Sequence, residues 1–257
     1  MKTAKSLARR VARAERRLFL AEGPQAVREA LGRTGCVVEI FAVPGAAKAH
    51  GEIHRASLDA GVVWQLVEDA ALTSLAETVH PQGLVAVCRF PDRPLADILS
   101  RRNRLLAVCA DVRDPGNAGT VLRCADATGA DAAVLTGSSV DPYNGKAVRA
   151  SAGSLFHLPL AIVPESTEAV AKLREHGLTV LAADGGGEVG LDDAIDGGLL
   201  ARPTAWLFGN EAWGLPGELA ELADHRVAIP IHGRAESLNL ATAAAVCLYA
   251  SARAQRR

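Results

Sequence analysis

Several features that would mark a membrane, secreted or metal-binding protein are missing from this sequence. No apolar run approaches the ~20 residues needed to cross a bilayer. The basic amino-terminus has no apolar stretch or cleavage site of the kind a secretory signal carries. The five cysteines, Cys36, Cys88, Cys109, Cys124 and Cys247, are scattered and odd in number. None forms a Cys-x-x-Cys pair and each lies in an apolar stretch, which reads as reduced core thiols in a cytoplasmic protein. The seven histidines show no zinc spacing, so no metal is expected. There is no internal repeat and no low-complexity tract. With a net charge of −1, the chain as a whole does not advertise a nucleic-acid partner.

The composition, 49% apolar and 22% charged over 257 residues, suits a globular chain of one large domain or two small ones. Charge distribution says more than the sum. Residues 1–17 hold Lys2, Lys5, Arg9, Arg10, Arg13, Arg16 and Arg17 against the single acid Glu15. Such a cluster can neutralise phosphates, or can be a solvated helical face.

Taken in order, the chain predicts a helix over 5–17, a second from Gln25 to Leu31, and a strand from Val37 to Val43 closed by Pro44-Gly45. Helical character over 50–60, a strand over 62–67, a short helix over 69–77 and a strand over 84–88 complete a compact α/β unit. Pro91-Asp92-Arg93-Pro94 is the expected boundary, with a helix near 95–101 joining the parts. The domains are therefore set at 1–98 and 99–257. The second opens with the buried strand Leu105–Ala110, a helix over 117–128 and the strand Ala132–Leu135, a βαβ unit that makes the sheet parallel. A short helix over 146–154 carries Lys146 and Arg149, and strand–helix alternation continues through 161–182.

Gly185-Gly186-Gly187-Glu188-Val189-Gly190 matches a dinucleotide fingerprint and follows a predicted strand. The acidic segment 191–198 is too short for the helix that must receive a pyrophosphate. A flexible loop is the expectation, with a nucleotide-dependent oxidoreductase as the alternative it would support.

The most informative stretch is 206–250. Two short apolar strands, Trp206–Phe208 and Val227–Ile229, each end in a polar, glycine-bearing loop, which places a cleft at the strands' carboxyl ends. The loop Gly209-Asn210-Glu211-Ala212-Trp213-Gly214-Leu215 resembles the second motif of the SpoU/TrmH branch of the SPOUT methyltransferases. Ile229-Pro230-Ile231 followed by Ser237-Leu238-Asn239-Leu240-Ala241 resembles the third. The first, Asn-x-Gly-x-x-x-Arg, is matched upstream by Asn117 to Arg123. The two-domain layout and the segment from Asp141 to Gly153 look most like the thiostrepton-resistance group of that family.

The resemblance implies S-adenosylmethionine as cofactor and methyl transfer to a ribose 2′-oxygen of RNA, most naturally ribosomal RNA. It implies a deep trefoil knot in the catalytic domain, a homodimer, and an amino-terminal RNA-recognition domain similar to a small ribosomal protein. Gly209, Asn210, Ile229, Leu238 and Asn239 are carried over as cofactor contacts; Arg123, Asn117, Glu211, Ser237 and Asn239 as catalytic residues. Arg9, Arg10, Arg13, Arg16, Arg17, Lys146 and Arg149 are the RNA-binding candidates. An arginine is a poor base, since protonated guanidinium has no acceptor. Holding a phosphate and aiming the hydroxyl fits Arg123 better. Asn117 can also cap its helix, one of Ser237 and Asn239 can cap the last helix, and Glu211 can pair with Arg123 or order its loop. A non-catalytic RNA-binding relative is the other alternative.

Overall fold

The computed structural model describes residues 1–256. It contains two compact units, Met1–Pro91 with Asp141–His157, and Asp92–Val140 with Leu158–Arg257. The expected single division near residue 98 thus differs from the observed one in two ways: the first unit ends at Pro91, and Asp141–His157 joins it.

The first unit holds a four-stranded sheet made of β1 (Leu18–Glu22), β2 (Val37–Ala42), β3 (Val63–Leu66) and β4 (Leu84–Arg89). Its order is β1-β4-β2-β3, antiparallel except for the β2–β3 pair. Aromatic packing explains why residues 141–157 belong here. Tyr143 is buried with its ring 5.0 Å from that of Phe19 and 3.7 Å from that of Phe90, and Phe156 stacks on Phe19 at 5.9 Å. Arg33 adds hydrogen bonds to the carbonyls of Phe156 and Pro91 at 3.0 Å each. The expected helix over 146–154 is two short ones, Gly145–Ala150, capped by the Asn144 side chain, and Ser154–His157.

The amino-terminal helix over 5–17 is likewise broken into Lys2–Ser6 and Arg10–Arg16, with Arg9 extended between them. Arg13 fills the break: its Nη1 donates to the carbonyls of Leu7 and Ala8 at 2.8 and 2.9 Å, oxygens that a continuous helix would have bonded internally.

The second unit is built on seven strands: β5 (Leu105–Ala110), β6 (Ala132–Thr136), β7 (Leu160–Val163), β8 (Thr179–Ala183), β9 (Val189–Gly190), β10 (Thr204–Phe208) and β11 (His225–Ala228). Their order is β7-β6-β5-β10-β8-β11-β9 and every pairing is parallel. Strands β5, β6 and β10 are buried along their whole length, the signature of parallel strands covered on both faces. The core gathers Leu106, Val108, Val134, Val180 and Leu207 under the Ser166–Glu175 helix residues Val170 and Leu173. The chain runs from β5 outward to β6 and β7, then returns to the other side for β8, so β5 and β10 meet where strand order reverses. Crevices at such points bind ligands.

Two helices start at this edge. Pro115–Thr128 begins with Asp114 as cap, its side chain accepting from Asn117 N, and Pro115 in the first turn; it ends at Gly129 with φ +70°. Leu240–Gln255 is capped by Asn239, whose Oδ1 accepts from Ala241 N and Thr242 N. Its small residues Ala241 and Ala244 are buried, and Ser251 Oγ receives the indole N–H of fully buried Trp206 at 2.8 Å, fixing the helix to β10. Burial pushes the Cys109 and Cys247 thiols up to about 12 and raises Cys88 well above its ordinary value, so these are inert core groups. Among the described residues, no helix is long and apolar enough to cross a membrane.

Candidate active site

The loops after β5 and β10 are tied together by their own side chains. Asn210 is buried; its Nδ2 donates to the carbonyl of Asp111 at 2.8 Å, and its Oδ1 accepts from Ala212 N at 2.8 Å. Paired backbone hydrogen bonds between Asn210 and Gly214, at 2.8 and 2.9 Å, close the loop as a tight bridge. A Cβ on Gly209 would collide with the backbone of Gly214 and Leu215. Glycine is therefore required here by the loop's own closure, rather than by a ligand's approach.

This closure presents Glu211 to the start of the Pro115–Thr128 helix. Its carboxylate accepts from Arg113 N (3.2 Å), Asp114 N (3.0 Å) and Asn117 Nδ2 (3.1 Å). Asn117 Oδ1 in turn accepts from Asn239 Nδ2 at 3.2 Å. One chain of side-chain hydrogen bonds, Glu211–Asn117–Asn239, thus joins segments that lie 94 and 122 residues apart in sequence. Partial burial pushes the Glu211 carboxyl up, but the hydrogen bonds outweigh it, led by that from Asn117, and hold the group below the ordinary carboxylate value.

Beside this network lies a cavity of about 500 Å³ at the carboxyl ends of β8, β10 and β11. Gly209, Asn210, Glu211, Ile229, Ser237, Leu238 and Asn239 all line it. All five proposed cofactor residues therefore share one wall system, together with Glu211 and Ser237. Asn239 is the cap of the last helix, which leaves Ser237 on the wall with no hydrogen bond among the described residues. Asp184, Gly185, Phe208, Ile231 and Glu236 also line the cavity and were missed by motif reading. Asp184 and Gly185 had a signal, since they open the glycine-rich stretch; Ile231 lies within the third motif and Phe208 ends the strand before the second, while Glu236 carries none.

Arg123 does not enter the network. It is exposed on the same helix as Asn117 and makes no ion pair among the described residues, so Glu211 orders its loop rather than pairing with Arg123. Its neighbour Cys124 faces a second and larger concavity, an apolar groove of about 970 Å³ between the Pro115–Thr128, Leu191–Asp196 and Leu240–Gln255 helices. That groove contains none of the polar network; the smaller cavity is the one beside the chemistry. The glycine-rich stretch does not form a phosphate loop. A Cβ on Gly187 would strike the backbone of Arg226 and Ala228, so that glycine seats the loop against β11. The segment beyond is not loop but a six-residue helix with Asp192 and Asp193 in its first turn, which repels an anion.

The family described as SpoU rRNA Methylase matches residues 104–249, and a second described as RNA 2′-O ribose methyltransferase substrate binding matches residues 20–94. The chain belongs to the SpoU rRNA methylase family. It is 34% identical over 237 residues, covering 90% of this chain and 87% of the other, to the 23S rRNA (guanosine(2553)-2′-O)-methyltransferase RlmP of Bacillus subtilis. It is similar in structure to the SpoU methyltransferase AviRb of Streptomyces viridochromogenes in complex with AdoMet, with TM-score 0.85, 30% identity, and 99% and 97% of the two chains covered. An AdoMet-bound rRNA methyltransferase from Sinorhizobium meliloti aligns with TM-score 0.84 at 30% identity, covering 98% of this chain and 93% of that one.

The SpoU chain's candidate RNA cations separate on inspection. Arg9, Arg10, Arg16 and Lys146 are exposed, as is Arg17, whose guanidinium also lies 4.8 Å from the centre of the Phe90 ring. Arg13 is a correction. Only 4% exposed, it donates to Asp141 Oδ2 through Nε (2.9 Å) and Nη2 (2.8 Å), with Nη1 on backbone carbonyls. Four of its five N–H donors are engaged within the protein and the group is closed off from solvent, so it is not placed to hold a phosphate. Arg149 is one-third exposed and sits 3.6 Å from Glu22 and 3.8 Å from Glu77, so its charge is matched within the protein.

Proposed function

We propose that this protein transfers the methyl group of S-adenosylmethionine to a ribose 2′-oxygen of RNA, with ribosomal RNA as the substrate class. The observation that carries the reading is the Glu211–Asn117–Asn239 network. It draws on all three motif segments at the rim of a cavity whose volume suits a nucleoside-sized ligand. The cavity walls fit the cofactor: Val227, Ile229, Ile231 and Leu238 give an apolar slot, the irregular 229–239 segment exposes backbone groups, and Asp184 and Glu236 offer acceptors for its hydroxyl and ammonium groups.

When bound, S-adenosylmethionine supplies an activated methyl whose sulfur departs as a neutral thioether, so the protein's task is to orient the 2′-hydroxyl, whose proton leaves to water. Glu211, held ionised by three N–H donors, fixes the loop and the Asn117 amide rather than acting as the base. Asn117 and Asn239 hold each other in one orientation, and Ser237 is free to bond a substrate hydroxyl. Arg123, exposed and without an ion-pair partner among the described residues, grips the phosphate beside the reacting ribose and sets the line of attack.

The apolar groove supports a homodimer as part of this reading. Val246 (38% exposed) and Tyr249 (66%) of the Leu240–Gln255 helix and Ile195 (38%) line it. Its two long helices are those that carry Asn117 in the first turn and Asn239 as cap, so a second copy seated there would brace the site. The trefoil knot, the RNA-recognition role of residues 20–94 and a cytoplasmic location belong to the same reading, supported by family membership.

Calorimetric titration with S-adenosylmethionine, followed by methyl transfer into bulk rRNA, tests it. Micromolar binding and incorporation at ribose are expected. Arg123→Ala should keep cofactor affinity and lose about 100-fold or more in turnover, the scale of a lost positioning contact. No cofactor binding with RNA present would reduce the protein to an RNA-binding relative.

A further inference from the structure

Trp213 is 61% exposed, at the tip of the loop that presents Glu211. Among the described residues the only other exposed aromatic ring of this kind is Tyr249, which lies in the groove. The other two tryptophans differ in setting: Trp206 is fully buried and hydrogen-bonded, and Trp64 is half-buried beside His54. Leaving an indole in water forgoes a large apolar burial, and a mobile loop could avoid this by folding the ring inward. Here the loop is not free to do so. The Asn210–Gly214 bridge closes it, Asn210 Oδ1 holds Ala212 N, Asn210 Nδ2 ties it to Asp111, and Glu211 is anchored by three donors. Every residue around Trp213 is fixed while the ring itself touches no wall of the cavity: Glu211 and Gly214 line it and Trp213 does not.

We infer that Trp213 is a stacking platform for an unpaired RNA base at or next to the modified nucleotide. The inference rests on the methyltransferase reading above, and it adds a positioning residue to it. Bases splayed out of RNA helices are held by aromatic faces, and an indole has only two side-chain torsions to fix. Placed two residues beyond Glu211, the ring stands outside the cofactor cavity at its rim, where the nucleotide carrying the reactive hydroxyl must arrive. Stacking of this kind acts on bound substrate and transition state alike, so it belongs to affinity rather than turnover.

The test uses tryptophan emission of the full chain titrated with protein-free bacterial rRNA, with filter retention recording the fraction of protein bound. The Trp213 contribution, taken as the wild-type spectrum less that of Trp213→Leu, should be that of an exposed indole and should fall in step with binding. Trp213→Leu, which keeps Trp64 and Trp206, should lose most of that quench while binding S-adenosylmethionine as before, evidence that the loop is intact. Its KM for RNA should rise about tenfold with kcat within about threefold, and Trp213→Phe should recover most of the loss. A quench that survives in Trp213→Leu overturns the inference. So does a blue-shifted Trp213 emission that ignores bound RNA, the result expected if a second copy of the chain covers the ring. Failure of the methyltransferase reading itself would show separately, as absent S-adenosylmethionine binding in the wild type.

Discussion

Asn117 Nδ2 donates to Glu211 Oε1 at 3.1 Å, latching the loop after β10 to the first turn of the helix after β5. A carboxylate is the right group for this place because it only accepts, and three donors converge on it. Glu211→Gln turns one of those oxygens into an N–H₂ that faces a donor. Hydrogen bonds to charged groups contribute about 1.5–3 kcal/mol, and partial exposure favours the lower end. The variant should lose about tenfold in cofactor affinity with an unchanged circular dichroism spectrum. The pH dependence has a definite sign. Because the folded-state value is depressed, the stabilisation is fully present above the ordinary carboxylate value and is lost as pH falls through the folded one. Cofactor affinity of the wild type should stay flat from neutrality down to about pH 5 and drop below about 4.3. In Glu211→Gln the step should be smaller, the difference from the wild type being the part that Glu211 carries.

Arg13 should behave as a stability residue and not as an RNA contact. Its guanidinium is buried against Asp141, 128 residues away, and breaking a buried pair from one side typically costs about 3–5 kcal/mol. Arg13→Ala should lower the melting temperature of the first unit, and Asp141→Asn should do so in part. Removing the exposed Arg9, Arg10 and Arg16 together should leave melting within about a degree or two, while weakening RNA binding and flattening its salt dependence. Loss of RNA affinity without loss of stability in Arg13→Ala would show the opposite assignment.

How far the sequence could be read depends on the range of the interactions involved. Strands β5, β6 and β10 were legible because a strand buried on both faces is apolar at every position, a local property. The three motif segments were legible as a family pattern, and the structure brings Asn117, Glu211 and Asn239 together as a network. Arg13 was not legible: in sequence it is one cation in a basic run, and only the fold brings Asp141 to it. The same holds for 141–157, which is contiguous with one unit and packed into the other through Tyr143 and Phe156. Arg123 shows a subtler limit. Six residues from Asn117 correspond to about 600° of turn, so the two side chains leave the helix about 120° apart. Spacing alone therefore gave no reason to expect Arg123 beside Glu211.

The groove gives the last test. Cys124 lines it, half-buried, with its thiol raised by burial despite the neighbouring Arg123. A second copy seated on Val246 and Tyr249 would close off that thiol. Alkylation of Cys124 should then slow as protein concentration rises, and sedimentation should report a dimer. Tyr249→Glu places a charge in the apolar contact, where its desolvation has no compensating partner. It should give a monomer in which Cys124 is alkylated at least about tenfold faster, while Cys109 and Cys247 stay unreactive because their raised thiols remain buried. A wild type that sediments as a monomer at every concentration would remove the dimer from the proposed mechanism, and with it the bracing of the Asn117 and Asn239 helices by a second copy.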